Sequence, residues 1–162
     1  MALEFSVVID LPFIAALPLI ACGQAAPAGG TAQLRFAAGD MVKNGAALVD
    51  PLKGTFYGNI FLQEDVGVTG PRSDAMMFQS LEVSGIDLTA KAVGEPAEAI
   101  FTTMALPAGK YVVLGFLDVD GNGATSREPD SGDPATLALT NKFDVTDGAE
   151  TKRLVLFEII YN

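Results

Sequence analysis

Asp118, Asp120 and Asn122 alternate along a six-residue stretch ending in Gly123 (Asp118-Val119-Asp120-Gly121-Asn122-Gly123), so hard oxygen ligands stand at positions 1, 3 and 5 and a glycine at position 6. An EF-hand calcium loop uses that order, because oxygens at every second residue converge on one ion as the chain curls and the glycine permits the sharp turn. The backbone carbonyl of Ala124 then takes position 7. Position 12 is Pro129 instead of the bidentate Glu of a full EF-hand, so Glu128, Asp130 or Asp133 has to close the shell. From Asp118 to Asp133 there are five acidic residues and one base, Arg127. That density of like charge is unfavourable without a counterion, and the expected cofactor is a structural calcium ion. Asp-Gly-Asn-Gly is also a good hairpin turn in its own right.

Other chemistry is narrowed by what the chain lacks. It has no His, no Trp and a single cysteine, Cys22, so a Ser-His-Asp triad, a Cys-His dyad, a His-ligated zinc site and an internal disulfide are all excluded. No catalytic constellation is expected. Glu64-Asp65 form a carboxylate pair, but neighbours on a strand point to opposite faces and a turn at a strand end accounts for them better. Met76-Met77-Phe78 are expected to pack in a core or under a loop. Tyr57, Phe61 and Tyr111 suggest a sugar-stacking platform on one sheet face, although strand aromatics are ordinarily core. With 10 basic and 20 acidic residues the net charge is -10, which repels nucleic acid and favours divalent cations or simple solubility outside the cytoplasm.

The elements that must position the loop are strands. Apolar runs are short and are broken about every ten residues by Gly, Pro, Asp or Asn. Candidates are Ala32 to Ala37, Thr55 to Leu62, Leu81 to Leu88, Ala99 to Met104, Lys110 to Leu117, Thr136 to Phe143 and Lys152 to Ile160. In the last run, Leu154, Leu156 and Ile160 share one face with Glu158, while Arg153, Val155, Phe157 and Ile159 share the other, as a central strand requires. Asp74 to Gln79 and Ala90 to Glu98 have room for a helical turn each. About seven short strands predict an all-β fold: a two-sheet antiparallel sandwich of the transthyretin or immunoglobulin type, spanning residues 32–162 as one domain.

Ahead of that domain, Leu11 to Ala21 is an apolar block too short, and too broken by Pro12 and Pro18, to span a bilayer. It reads as the h-region of a signal peptide over residues 1–22. Leu19-Ile20-Ala21-Cys22 resembles the bacterial lipobox, which implies acylation of Cys22 and a membrane partner through the lipid. The segment before the block carries Glu4 and Asp10 but no Lys or Arg, a departure from the usual pattern. Gly23 after the cysteine is similar to lipoproteins routed to an outer membrane, so the expected location is the bacterial cell envelope. Residues 23–31, small and rich in Gly and Pro, read as a tether.

Leu106-Pro107-Ala108-Gly109-Lys110-Tyr111 has the look of a turn and strand start in which Pro fixes one torsion and Gly takes the positive one. With the Asp118 to Gly123 loop and Gly132-Asp133-Pro134 behind it, this stretch resembles the DUF2141 family of bacterial exported proteins, over about residues 54 to 157 and most specifically from Leu106 to Pro134. Ala124-Thr125-Ser126-Arg127 depart from the Asn and Lys-Asp usual there. The resemblance, shared with carboxypeptidase regulatory-like modules, implies a transthyretin-like sandwich in an exported protein.

The expected function is that of a lipid-anchored binding or assembly module, calcium-stabilised, whose partner is a protein, a polysaccharide or a second copy of itself. Two other classes fit the composition: a carboxylate-pair hydrolase acting on carbohydrate, and a fibre or sheath subunit pairing through an edge strand.

Overall fold

The computed structural model of the chain describes residues 29–45 and 50–162; the leader, Cys22 and most of the expected tether lie outside the described residues. Runs of β-branched, aromatic and aliphatic residues between turn formers give ten strands among the described residues. They are β1 (Thr31–Ala38), β2 (Lys53–Leu62), β3 (Val66–Gly67), β4 (Gly70–Pro71), β5 (Met77–Asp87), β6 (Ile100–Thr102), β7 (Gly109–Asp118), β8 (Pro134–Thr136), β9 (Lys142–Val145) and β10 (Glu150–Ile160). Two short helices, α1 (Asp40–Asn44) and α2 (Gly123–Ser126), interrupt them.

Eight strands form one sheet: seven follow the hydrogen-bonded path β5-β2-β7-β8-β10-β1-β6, and β9 lies off it, paired to β7. The path folds over on itself at β8. Ala135 pairs with Phe116 of β7, and Thr136 pairs with Phe157 of β10, so this three-residue strand belongs to both layers. The Thr136 hydroxyl reinforces the corner by accepting the Gly115 N–H at 2.9 Å and donating to the Gly115 carbonyl at 3.2 Å. One layer is therefore β5, β2, β7 and β9, and the other is β10, β1 and β6. The result is the expected all-β sandwich, with one departure from all-antiparallel order: β1 runs parallel to β10 in register from Thr31↔Glu150 to Ala38↔Phe157. Strands at opposite ends of the sequence can pair this way because the whole intervening chain serves as the crossover.

Between the layers lies a core in which Phe36, Phe56 and Phe157 are fully buried. Phe36 of β1 meets Phe56 of β2 with ring centroids 5.0 Å apart, and Phe157 of β10 meets Phe56 edge-on at 5.7 Å. Phe56 has room because Gly58 and Gly115 pair directly across β2 and β7 on its face. A Cβ on Gly58 would lie 2.4 Å from the Phe56 ring, and one on Gly115 would lie 2.7 Å from it. The ring thus covers a patch of bare backbone. Tyr111 adds a second aromatic group, edge-on to Phe78 and stacked on Phe143, and its hydroxyl donates to the Pro107 carbonyl at 2.8 Å.

Several local expectations change. Thr136 to Phe143 is two strands, because Asn141 bonds the edge of β10 in place of a continuing strand: its side chain accepts the Leu156 N–H at 2.7 Å and donates to the Leu156 carbonyl at 3.0 Å. A register shift in β10 between Phe157 and Ile159 sends Ile160 to the core and Ile159 to the opposite face, reversing the expected alternation there. Asp74 to Gln79 and Ala90 to Glu98 hold turns and strand instead of helix. Met76 and Met77 are exposed. Gly109 does not take a positive torsion; it leads straight into β7.

The glycine pair gives a direct check on the packing. A Cβ on Gly115 would sit 2.3 Å from the Tyr57 carbonyl oxygen, a backbone atom that cannot swing aside. Gly115→Ala is expected to destabilise the domain by about 1–3 kcal/mol, read as a lowered urea midpoint with an unchanged slope. An unchanged midpoint would remove the close packing described for this pair.

Candidate functional site

β7 ends on Asp118, and the chain leaves the sheet in the acidic loop. The Asp118 side chain is buried and turns back under the loop: Oδ1 accepts the Gly121 N–H at 2.8 Å and Oδ2 accepts the Gly123 N–H at 3.1 Å. Gly121, with φ +86°, supplies the reversal that brings both N–H groups inward. Gly123 is itself buried and opens α2. From the far end of the loop the fully buried Asp133 closes the turn, with Oδ1 accepting the Val119 N–H at 3.2 Å and Oδ2 the Asp130 N–H at 3.2 Å. Its backbone joins the C-terminus, accepting the Tyr161 N–H at 2.8 Å. Burial pushes the Asp133 carboxyl above its ordinary value; the two backbone donors pull the other way, while the negative charges of Asp130 and Asp118 add to the rise.

Outside this buried pair, Asp120, Asn122 and Asp130 are exposed. Asn122 links them, donating from Nδ2 to Asp120 at 2.8 Å and also to Asp130. Ala124 and Glu128 are exposed, and Glu128 engages Ser126 through its backbone. The expected ligands are therefore brought into one loop but sorted into two groups, an inner pair bonded to amides and an outer trio bonded to one another. Among the described residues, no three acidic side chains are grouped as a metal site would require.

The loop also does something the sequence does not announce. α2 ends on Arg127 in the left-handed conformation, φ 56°. That reversal points the guanidinium back over the outer face of the sheet, where it lies 4.5 Å from the centre of the Tyr57 ring and 2.9 Å from Glu82 of β5. Tyr57 and Phe116 pair across β2 and β7 on this face, their centroids 5.9 Å apart. Together with Asn59 and Ser80, bonded to each other at 2.9 Å, they floor a groove of about 860 Å³ walled by Arg127 and Pro129 on one side and by Thr69 and Pro71 on the other. Glu82 is the one carboxylate lining this groove among the described residues.

Of the aromatic candidates, Tyr57 and Phe61 line the groove, but Tyr111 faces the core, so the three do not form one platform. Phe116, Glu82 and Arg127 were not singled out by sequence; the signal available was outward placement of Phe116 opposite Tyr57, which needs the register of β2 and β7. Glu64 and Asp65 lie in a 3-10 turn at the end of β2, and Asp65 is held by Arg72 at 2.8 Å. Compared with known proteins, the chain matches no family model, no characterised protein and no solved structure.

The sorting of the acids has a measurable consequence. Asp118→Ala leaves two inward N–H groups without acceptors and is expected to destabilise the domain by about 1–3 kcal/mol. Asp120→Ala, at an exposed position, is expected to stay within about 0.5 kcal/mol of the parent. Thermal melting of both variants checks this, and equal losses would mean the inner and outer acids are not distinct.

Proposed function

We propose that the chain is an exported, lipid-anchored binding module of the cell envelope whose ligand lies in the groove between Arg127 and the β3–β4 hairpin. The observation carrying this reading is the groove itself: amide and hydroxyl groups of Asn59 and Ser80, a charge pair, Glu82 with Arg127, that is internally neutralised, and beneath them the nearly buried rings of Tyr57 and Phe116. A concave site that mixes apolar surface with a few placed polar groups is the usual form of a small-ligand site. Because the pair cancels and the rest of the molecule is strongly acidic, the ligand best matched to it is a neutral glycan segment. A carboxylate-pair hydrolase is less well supported, since that chemistry needs two carboxyl groups about 5 to 9 Å apart in one pocket and Glu82 stands alone and paired.

Titration of the labelled protein with a panel of neutral oligosaccharides, followed by NMR, tests the reading. Saturable shifts at Tyr57, Asn59, Ser80 and Phe116, lost in Arg127→Ala, are expected. Silence at those residues across the panel would remove it. The anchor has its own test: metabolic labelling with a fatty acid should mark the full-length protein, and Cys22→Ser should abolish the label.

A second reading gives the acidic loop a calcium ion, favoured by the alternation of Asp118, Asp120 and Asn122 before the buried Gly123 and by Asp130 meeting Asn122. Calcium at hundredfold its Kd should then add about 2.7 kcal/mol, or roughly 5 to 10 °C in Tm, and Asp120→Ala with Asp130→Ala should erase the gain. Identical melts with calcium and with chelator would leave the loop held by its amides alone.

A further inference from the structure

All ten cationic side chains of the chain lie within the described residues. Arg72, Lys91, Lys110 and Arg127 are in ion pairs. Of the other six, three line one cleft. Lys142 of β9 and Lys152 and Arg153 of β10 line a cleft of about 600 Å³ that shares no lining residue with the groove of Tyr57 and Arg127. From Glu150 to Leu156, β10 is strand-paired only to β1; Asn141 bonds its other edge at Leu156, and Thr151, Lys152 and Arg153 line the cleft. Asp144 also lines it, but it is engaged by Lys110 at 3.2 Å. Arg153 is fixed by donating to the Thr140 carbonyl, and its Nε is buried without a partner among the described residues.

Cationic residues lining one cleft repel one another, and among the described residues none of these three is in an ion pair although the protein carries a net charge of -10. A cleft lined by a guanidinium-bearing and two ammonium-bearing side chains suits an oxyanion carrying more than one negative charge. Lysines on a strand edge also discourage edge-to-edge pairing, but that role asks for neither an inward Arg nor a cleft.

We propose that the β9–β10 cleft binds a phosphate group, with Lys142, Lys152 and Arg153 as its donors. NMR titration of the labelled protein with inorganic phosphate, against sodium chloride at matched ionic strength, should give saturable shifts confined to Lys142–Asp144 and Thr151–Arg153. Lys142→Gln with Lys152→Gln should weaken binding at least about tenfold with little change in Tm, since neither side chain is in the core, while Lys142→Arg with Lys152→Arg should retain it. A second arm uses phosphatidylcholine vesicles with and without phosphatidylglycerol. Shifts with free phosphate identify a soluble ligand, and shifts with the anionic vesicles alone identify a lipid headgroup. No saturable shift in either arm, the same response to chloride, or undiminished binding in the double Gln variant would overturn the proposal.

Discussion

The arrangement of this molecule's candidate site depends on two buried carboxylates answered by backbone amides. Asp118 and Asp133 stand at the two ends of a sixteen-residue excursion from the sheet, and each carboxylate takes two N–H groups from within it. Burying a charge is tolerable only when such donors replace water, and these N–H groups would themselves lack acceptors without the acids. The mutual need fixes the loop's course. It sets where α2 begins, where Arg127 reverses, and so where a guanidinium comes to rest over the sheet.

The sheet beneath is shaped for the same purpose by a different constraint. Phe56 on the core side lies across Gly58 and Gly115, while Tyr57 and Phe116, the next residues along each strand, pack into a second buried cluster on the opposite side, beneath the groove. Adjacent residues on two paired strands therefore build both the core and the groove floor. The corner at Thr136 holds β7 in place between the layers by bonding Gly115 itself. Packing errors at the glycine pair would be felt on both faces, because the backbone separating them is one strand thick.

How much of this was legible in the sequence follows from the range of the interactions. Strand identity and the all-β class were readable from local patterns, and the bounds of β1, β2, β7 and β10 fall within a few residues of those expected. The acidic loop was found because its signal is contiguous. What was not legible depends on partners far apart in the chain: the parallel pairing of β1 with β10, the substitution of Asn141 for a strand edge, the shift in β10 at Glu158, and the placing of Arg127 on Tyr57, 70 residues away in sequence. The expected metal shell put Asp118, Asp120, Asn122 and the Ala124 carbonyl in one series, closed by Glu128, Asp130 or Asp133, whereas burial divides Asp118 and Asp133 from Asp120, Asn122, Ala124, Glu128 and Asp130. Spacing along a chain gives the order of ligands, but the local fold decides which oxygens are already occupied.

The most direct test of this account is the NMR side-chain shift of Arg127. If the amide-bound carboxylates position the guanidinium over Tyr57, the Arg127 δ protons should be moved upfield by the ring in the parent protein and should return toward random-coil values in Asp118→Ala while the sandwich stays folded. Random-coil values in the parent, or an upfield shift that persists unchanged in Asp118→Ala, would contradict it.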